Sequence, residues 1–267
     1  MDNQSESWGR INEVELDGAE VVFDLDGTLV KGDLGETVFF HVLLGKSIVG
    51  RNPEVGPKCQ EIVDLSGGRD QLLERYFSLV RTKKYQKASK FLAKFIAKLP
   101  AIETGSITGS VLQQNGLMKF IEYQSEVSGT TLKIRYGIEM WSELIELMNQ
   151  FRERGARIWI VSASPQPIVE VFGSLIGVAS QQILAVKVEP QRDQFIRVPY
   201  GKGKVSALQV AGIEKPLVVF GNSLGDLEML EEARFPVVMD NSCHDLLEIA
   251  NYRGWTIYER KAGLKLI

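Results

Sequence analysis

Apolar residues follow two rhythms along this chain, and their alternation predicts its architecture. Four short runs, at 21–25, 158–161, 217–220 and 237–239, are rich in Val and Ile and bounded by Gly, Ser, Asp or Asn. Continuous rather than alternating apolarity suits a strand covered on both faces, which predicts a parallel sheet. Helical spacing lies between the runs. Met140, Leu144, Leu147, Met148 and Phe151 share one face, and Gly155 stands where a C-terminal cap belongs. Further helices are predicted from Pro165 to before Gly177, from about 204 to 210 and from 226 to 233. Strand alternating with helix predicts an α/β fold, a doubly wound, mostly parallel Rossmann-like sheet whose ligands sit at the carboxyl ends of its strands.

Residues 31–136 break that rhythm. They show no comparable strand, they are helical in pattern at 72–80, 85–99 and 117–127, and they are too long for a connecting loop. The expectation is an inserted all-helical domain at 31–136, with the α/β core built from 1–30 and 137–267. Only 104–116, rich in Gly, Ser, Thr and Gln, has a weakly low-complexity character.

Composition narrows the partners. With 267 residues, 44% of them hydrophobic, the chain can bury a sizeable core. A net charge of −3 excludes broad electrostatic capture of nucleic acid. No run approaches the about eighteen apolar residues of a membrane span, so no stable membrane insertion is expected. The polar start of the chain, 1–18, has no apolar segment of the signal-peptide kind, and a cytoplasmic protein is expected. Cys59 and Cys243, the only two cysteines, read as core thiols, and the isolated His41 and His244 read as structural or exposed.

The chemistry is concentrated where the predicted strands end. The first delivers Asp24-Leu25-Asp26-Gly27-Thr28, whose two carboxylates share a strand face. At about 0.06 per specified residue, chance supplies Asp-x-Asp-Gly-Thr in only a few per thousand chains of this length. The second run ends in Ser162-Ala163-Ser164 before a helix start, and the third in Gly221-Asn222-Ser223-Leu224-Gly225-Asp226. Hydroxyls and helix N-termini are the groups that cradle phosphate. A Gly-Lys-Gly-Lys-Val run at 201–205 offers a cation, Lys202 or Lys204.

As a set, these motifs resemble the haloacid dehalogenase superfamily, and within it the phosphoserine-phosphatase-like branch. The resemblance covers the core segments and implies Asp24 as the nucleophile that takes up phosphorus. It implies Asp26 as the acid that protonates the leaving alcohol and later activates water. Thr28, Ser162 and Ala163 match the phosphate-binding positions, and the clamping lysine falls on Lys202, with Lys204 as the alternative. The cofactor implied is Mg2+, on Asp24, the Asp26 carbonyl and Asn222, with Asp226 supplying charge directly or through water. Asn222 departs from the Asp that many members of this branch carry there. The insertion resembles a cap over the site, where Asp33, nine residues after Asp24, or Glu36 would meet an amino group of the substrate. The function implied is Mg2+-dependent hydrolysis of a small phosphorylated metabolite, an amine-bearing phosphomonoester of the phosphoserine or phosphocholine type. The alternatives are a phosphotransferase or mutase using the same aspartyl-phosphate, and a catalytically impaired phosphate- or lipid-binding module. A row of lysines, Lys83, Lys87, Lys90, Lys94 and Lys98, reads as a solvated helix face or as a surface for anionic membranes.

Overall fold

The computed structural model describes residues 9–49 and 55–259; the parts of the expected domains at 1–8, 50–54 and 260–267 lie outside the described residues. All four apolar runs form neighbouring strands of one sheet. From edge to edge its strands are β11 (Thr256–Tyr258), β10 (Phe235–Met239), β9 (Val218–Gly221), β1 (Glu20–Phe23), β6 (Arg157–Pro165), β7 (Ile183–Glu189) and β8 (Gln194–Arg197). All neighbours run parallel except β8, which returns antiparallel to β7. The first strand is therefore central. The chain leaves it toward β6 and returns on its other side as β9, so the strand order switches direction at β1. That switch point is where such sheets form their binding crevice.

Both faces of the sheet are covered, which is why its strands are continuously apolar. On one face Val21 and Phe23 pack with α6 (Ser142–Glu153) and α7 (Gln166–Leu175) through Phe151, Ile168 and Phe172. On the other, Val22 and Val219 meet α8 (Lys202–Val210), α9 (Leu227–Glu231) and α10 (His244–Arg253) through Leu208, Met229 and Leu246. The Phe23 and Phe220 rings stack across the central strand pair at 4.4 Å.

The long segment between β1 and β6 enters and leaves through a short antiparallel pair, β2 (Val30–Lys31) with β5 (Glu139–Met140). It contains α1 (Leu34–Val49), α2 (Pro57–Leu65), α3 (Gly68–Arg81), α4 (Tyr85–Ile96) and α5 (Ala101–Gln113). The serine- and threonine-rich stretch is most of α5. Its Thr104 and Thr108 hydroxyls donate to carbonyls four residues back, while Ile107 and Val111 are buried.

The expectation of an all-helical insertion fails at 117–127. There the chain forms β3 (Lys119–Gln124), which pairs with β4 (Thr131–Tyr136) over six residues as an antiparallel hairpin. Alternation explains it. Leu132, Ile134 and Tyr136 are buried while Thr131, Lys133 and Arg135 are exposed, and Ile121 and Tyr123 follow the same period of two on β3. The Asp70 carboxylate on α3 pins the turn, accepting from the Tyr123 hydroxyl and from the Glu126 and Val127 amides.

Cys59 is buried, whereas Cys243 is exposed, because it lies in the loop ahead of α10 rather than inside an element. His244 is exposed beside Glu248. His41 is buried in α1, where its Nδ1 meets the Tyr136 hydroxyl at 2.6 Å. Burial lowers its pKa to about 4. A depressed histidine pKa means that the unfolded chain binds the proton first, near its ordinary value of about 6.5, so stability is present above that pH and is lost as pH falls toward 4. The His41 contribution should amount to about 2 kcal/mol between pH 7 and pH 5. It is read as the difference between the urea-denaturation pH profiles of wild type and His41→Phe, and identical profiles would contradict it. Among the described residues, no helix is long and apolar enough to cross a membrane.

Candidate active site

The carboxyl ends of β1, β6 and β9 meet the inner face of α1, α3 and α4 around a cavity of about 570 Å3. Asp24 follows β1, and its amide donates to the Phe220 carbonyl, so the last ladder bond of the central strand places this carboxylate. It is 5% exposed. Thr28 is fully buried and donates from Oγ1 to Asp24 Oδ2 at 3.2 Å. Asp26 is held from two sides: the Leu34 amide at the start of α1 donates to Oδ1 at 2.7 Å, and Ser164 Oγ donates to Oδ2 at 2.7 Å. Ser162 Oγ lies 3.4 Å from the same Oδ2 and accepts from the Ser164 amide.

The bend that follows the two aspartates depends on Gly27. Its φ is +83°, and a Cβ there would lie 1.9 Å from the Asn222 side-chain amide. Any larger residue would therefore carry both backbone strain and a clash with the β9 loop.

Of the two candidate lysines, the structure brings in Lys204 and leaves Lys202 exposed. Lys204 is 2% exposed, with Nζ 2.6 Å from Asp24 Oδ1, 2.6 Å from Asp226 Oδ1 and 2.9 Å from the Val161 carbonyl. Helical geometry separates them. Lys202 is the first residue of α8, and two residues on, about 200° around the axis, Lys204 faces the sheet. Gly203 between them must be small, because a Cβ would stand 2.1 Å from the Val198 carbonyl oxygen.

Asp226 is oriented by its own loop. Its Oδ2 accepts from the Asn222 and Ser223 amides and the Ser223 hydroxyl, while Oδ1 faces Lys204. Asn222 instead is the residue of this loop that turns to the aspartates. Its amide group reaches to 3.2 Å from Asp24 Oδ2 and 3.1 Å from the Asp26 carbonyl oxygen. With the nitrogen turned inward it donates to both; with the oxygen inward, three oxygens face one another and call for a cation between them. An all-oxygen set of this kind is the donor chemistry of a hard divalent cation. Among the described residues no group of three or more His, Cys, Asp and Glu is arranged for a metal.

Burial dominates the electrostatics. It raises the Asp26 pKa to about 7, with the Asp33 carboxylate adding to the effect and the Leu34 and Ser164 hydrogen bonds opposing it. Asp24 is raised by burial and by Asp226, against which Lys204 pulls. Lys204 is raised by its two carboxylates in spite of burial and remains an ammonium ion.

Asp33 and Glu36 both line the cavity. Asp33 Oδ1 accepts from the Glu36 amide as α1 begins, and Glu36 accepts from the Tyr76 hydroxyl of α3. Burial and the neighbouring Glu36 raise the Asp33 pKa to about 8, and burial raises that of Glu36. Ala163 lines the cavity wall, whereas Ser162 is fully buried beneath it. Sequence reading assigned no role to Ser164, Tyr76 or Tyr200, all of which line the cavity. Ser164 carried a signal, since it belongs to the same Ser-Ala-Ser strand end; the tyrosines carried none, because only the tertiary arrangement brings them to the cavity that the aspartates line.

The sequence profile of the haloacid dehalogenase-like hydrolases matches residues 21–231. No curated protein matches the chain significantly. Among solved structures, a conserved protein of unknown function from Anaerococcus prevotii DSM 20548 is 17% identical, with 95% of this chain and 90% of that one covered and a TM-score of 0.62. A phosphoserine phosphohydrolase-like protein from Francisella tularensis subsp. tularensis SCHU S4 is 15% identical, with coverage of 92% and 97% and a TM-score of 0.55. A substrate-bound phosphoserine phosphatase is 13% identical, with coverage of 91% and 94% and a TM-score of 0.51. At such identities the likeness is one of fold. The profile spans the core from its first strand through the loop that carries Asn222 and Asp226, and on that match the chain belongs to the haloacid dehalogenase-like hydrolase family.

Proposed function

We propose that this protein is a Mg2+-dependent phosphatase that hydrolyses a small phosphomonoester through an aspartyl-phosphate on Asp24. The observation that carries the reading is the position of Lys204, whose buried ammonium bridges Asp24 and Asp226 at 2.6 Å each beneath the cavity. Lys204 opposes the upward pull of burial and Asp226 on Asp24 and positions one oxygen, leaving the other toward the cavity. That carboxylate oxygen attacks phosphorus, and the ester P–O bond breaks in line. Asp26, raised toward neutrality, is available as a proton donor at physiological pH and gives its proton to the departing alkoxide. In the second half the Asp26 carboxylate takes a proton from the water that attacks the Asp24 phosphoryl group, releasing phosphate, freeing the Asp24 carboxylate and returning Asp26 to its protonated form. Asp24, the Asp26 carbonyl and Asn222 would hold the Mg2+, which when bound neutralises the phosphoryl charge beside the carboxylates. Ser164 orients Asp26, and the α7 N-terminus next to Ala163 adds backbone donors for phosphoryl oxygens. Asp33 and Glu36 put acceptors on the leaving-group side, which favours a substrate with an amino or hydroxyl group there.

A panel of phosphomonoesters tests the reading. Phosphate release should disappear with chelator and return with Mg2+, and the best substrates should carry an amine or a hydroxyl near the ester. Release unaffected by chelator would remove the metal, and inactivity on every ester would remove the phosphatase reading. Asn222→Asp should lower the Mg2+ concentration for half-maximal activity by about tenfold, since each charged ligand tightens a hard-ion site. The metal-free variant should melt a few degrees below wild type, because the new carboxylate sits beside Asp24, and the order should reverse with Mg2+ present. Thermal melts with and without Mg2+ check this; an unchanged order would place Asn222 outside the metal site.

A further inference from the structure

On the far side of α4 from the active site, the structure carries a second concave surface. We infer that this groove, between α4 and the β7–β8 hairpin, binds a small polyvalent anion of the oligophosphate type. It encloses about 460 Å3, within the range of about 300–1,000 Å3 typical of small-ligand sites. Arg75, Lys87, Lys90, Lys94 and Lys98 line it against a single carboxylate, Asp193. This is a dense positive cluster on a chain whose net charge is −3. Such crowding raises the energy of the folded chain unless a counter-anion shares the space.

The cations are built into the walls. The Lys90 and Lys94 ammonium groups lie 5.4 and 5.2 Å from the centre of the Phe195 ring, and the Arg75 guanidinium lies 5.2 Å over Phe91. These ring contacts, with the 2.6 Å pair between Lys94 and Asp193, keep the charged ends at the groove rather than extended into water. Lysines at intervals of three or four residues stand about 5–6 Å apart along one face, a row of point charges suited to linked phosphates.

Packing argues against a membrane as the occupant. An interfacial helix needs a free apolar face, and that of α4, formed by Ala88, Leu92, Phe95 and Ile96, is buried in the interior. No residue lining the groove also lines the active-site cavity, yet α4 walls both. A ligand here would also span the seam between the insertion, which supplies the cations, and the core, which supplies Asp193 and Phe195.

Calorimetric titration with sodium tripolyphosphate tests the site. Wild type should bind it saturably, and more weakly as salt is raised. The Lys90→Glu/Lys94→Glu double variant should weaken binding by about tenfold or more, and Lys90→Gln/Lys94→Gln, which keeps most of the side-chain bulk, should weaken it less. Lys133→Glu, an exposed change on β4, should leave affinity within about twofold. Absence of saturable binding by wild type, or wild-type affinity in both double variants, overturns the proposal. Vesicles of phosphatidylserine and phosphatidylcholine in equal parts should not sediment the protein; sedimentation that depends on Lys90 and Lys94 would assign the groove to a membrane surface instead.

Discussion

Lys204→Met should reduce turnover by about 10²–10³, the usual effect of removing one preorganised charge from a reacting centre, and should also destabilise the folded chain. The two effects have one cause. Lys204 is the cation 2.6 Å from both Asp24 and Asp226, and all three groups are almost wholly buried. Without it two carboxylates face each other in a dry interior, and removing one partner from a buried ionic cluster costs about 3–5 kcal/mol. The loss should depend on pH. A carboxylate whose folded pKa lies above its unfolded value binds its proton more tightly when folded, so stability falls as pH rises from about 4 through the folded pKa. The variant should therefore be markedly less stable than wild type at pH 8 and closer to it at pH 5. Urea denaturation at the two pH values measures this, and equal destabilisation at both would mean that the lost ammonium is not what matters. Lys204→Met combined with Asp226→Asn should recover much of the stability while turnover stays low. Recovery of both would reduce Lys204 to a structural counter-charge.

Asp26→Asn separates the acid from the nucleophile. An amide cannot protonate a leaving group, and loss of general acid catalysis costs about 10²–10⁴ when that group is a poor one. An alkyl phosphate should therefore react slower by that factor. With p-nitrophenyl phosphate, whose phenolate leaves without help, the first half-reaction should survive and the second should stall for lack of a base. The expected record is a burst of about one p-nitrophenolate per chain followed by a slow steady state, with the phosphoryl group trapped on the protein. Equal slowing of both substrates and no burst would remove the acid/base assignment. Asp24→Asn should give neither burst nor turnover.

Much of this site was legible in the chain before its fold. Asp24, Asp26 and Thr28 lie within five consecutive residues, so local geometry alone sets their relation. The β1, β6 and β9 runs announced themselves by apolarity, because burial on both faces leaves a mark in composition. Asn222 and Asp226 were visible for the same reason, since they end the third apolar run. Less was legible where local pattern is ambiguous. Ile121, Tyr123, Ile134 and Tyr136 alternate with polar residues, but in a segment of otherwise helical pattern the period of two at 119–124 passed for one more helix. β7 went unread although its run at 183–186 is apolar, and the edge strands β8 and β11 went unread because they are only four and three residues long.

Lys202 and Lys204 show where sequence stops. Both stand in one Gly-Lys-Gly-Lys run, with the same charge and a shared motif resemblance. The choice was made by the angle at which α8 approaches the sheet, which turns one lysine to solvent and the other between Asp24 and Asp226. The lysines of α4 are a similar case. Their spacing defined a charged face, but only the β7–β8 hairpin, supplying Asp193 and Phe195 from a hundred residues away, makes that face the wall of a groove. Local order therefore determined the sheet core, the paired aspartates and the family, because strands and their loops are encoded by contiguous residues. Tertiary structure decided which lysine is buried, which serine touches Asp26 and what lies across α4, because each of those contacts joins residues whose separation along the chain carries no information about their distance in space.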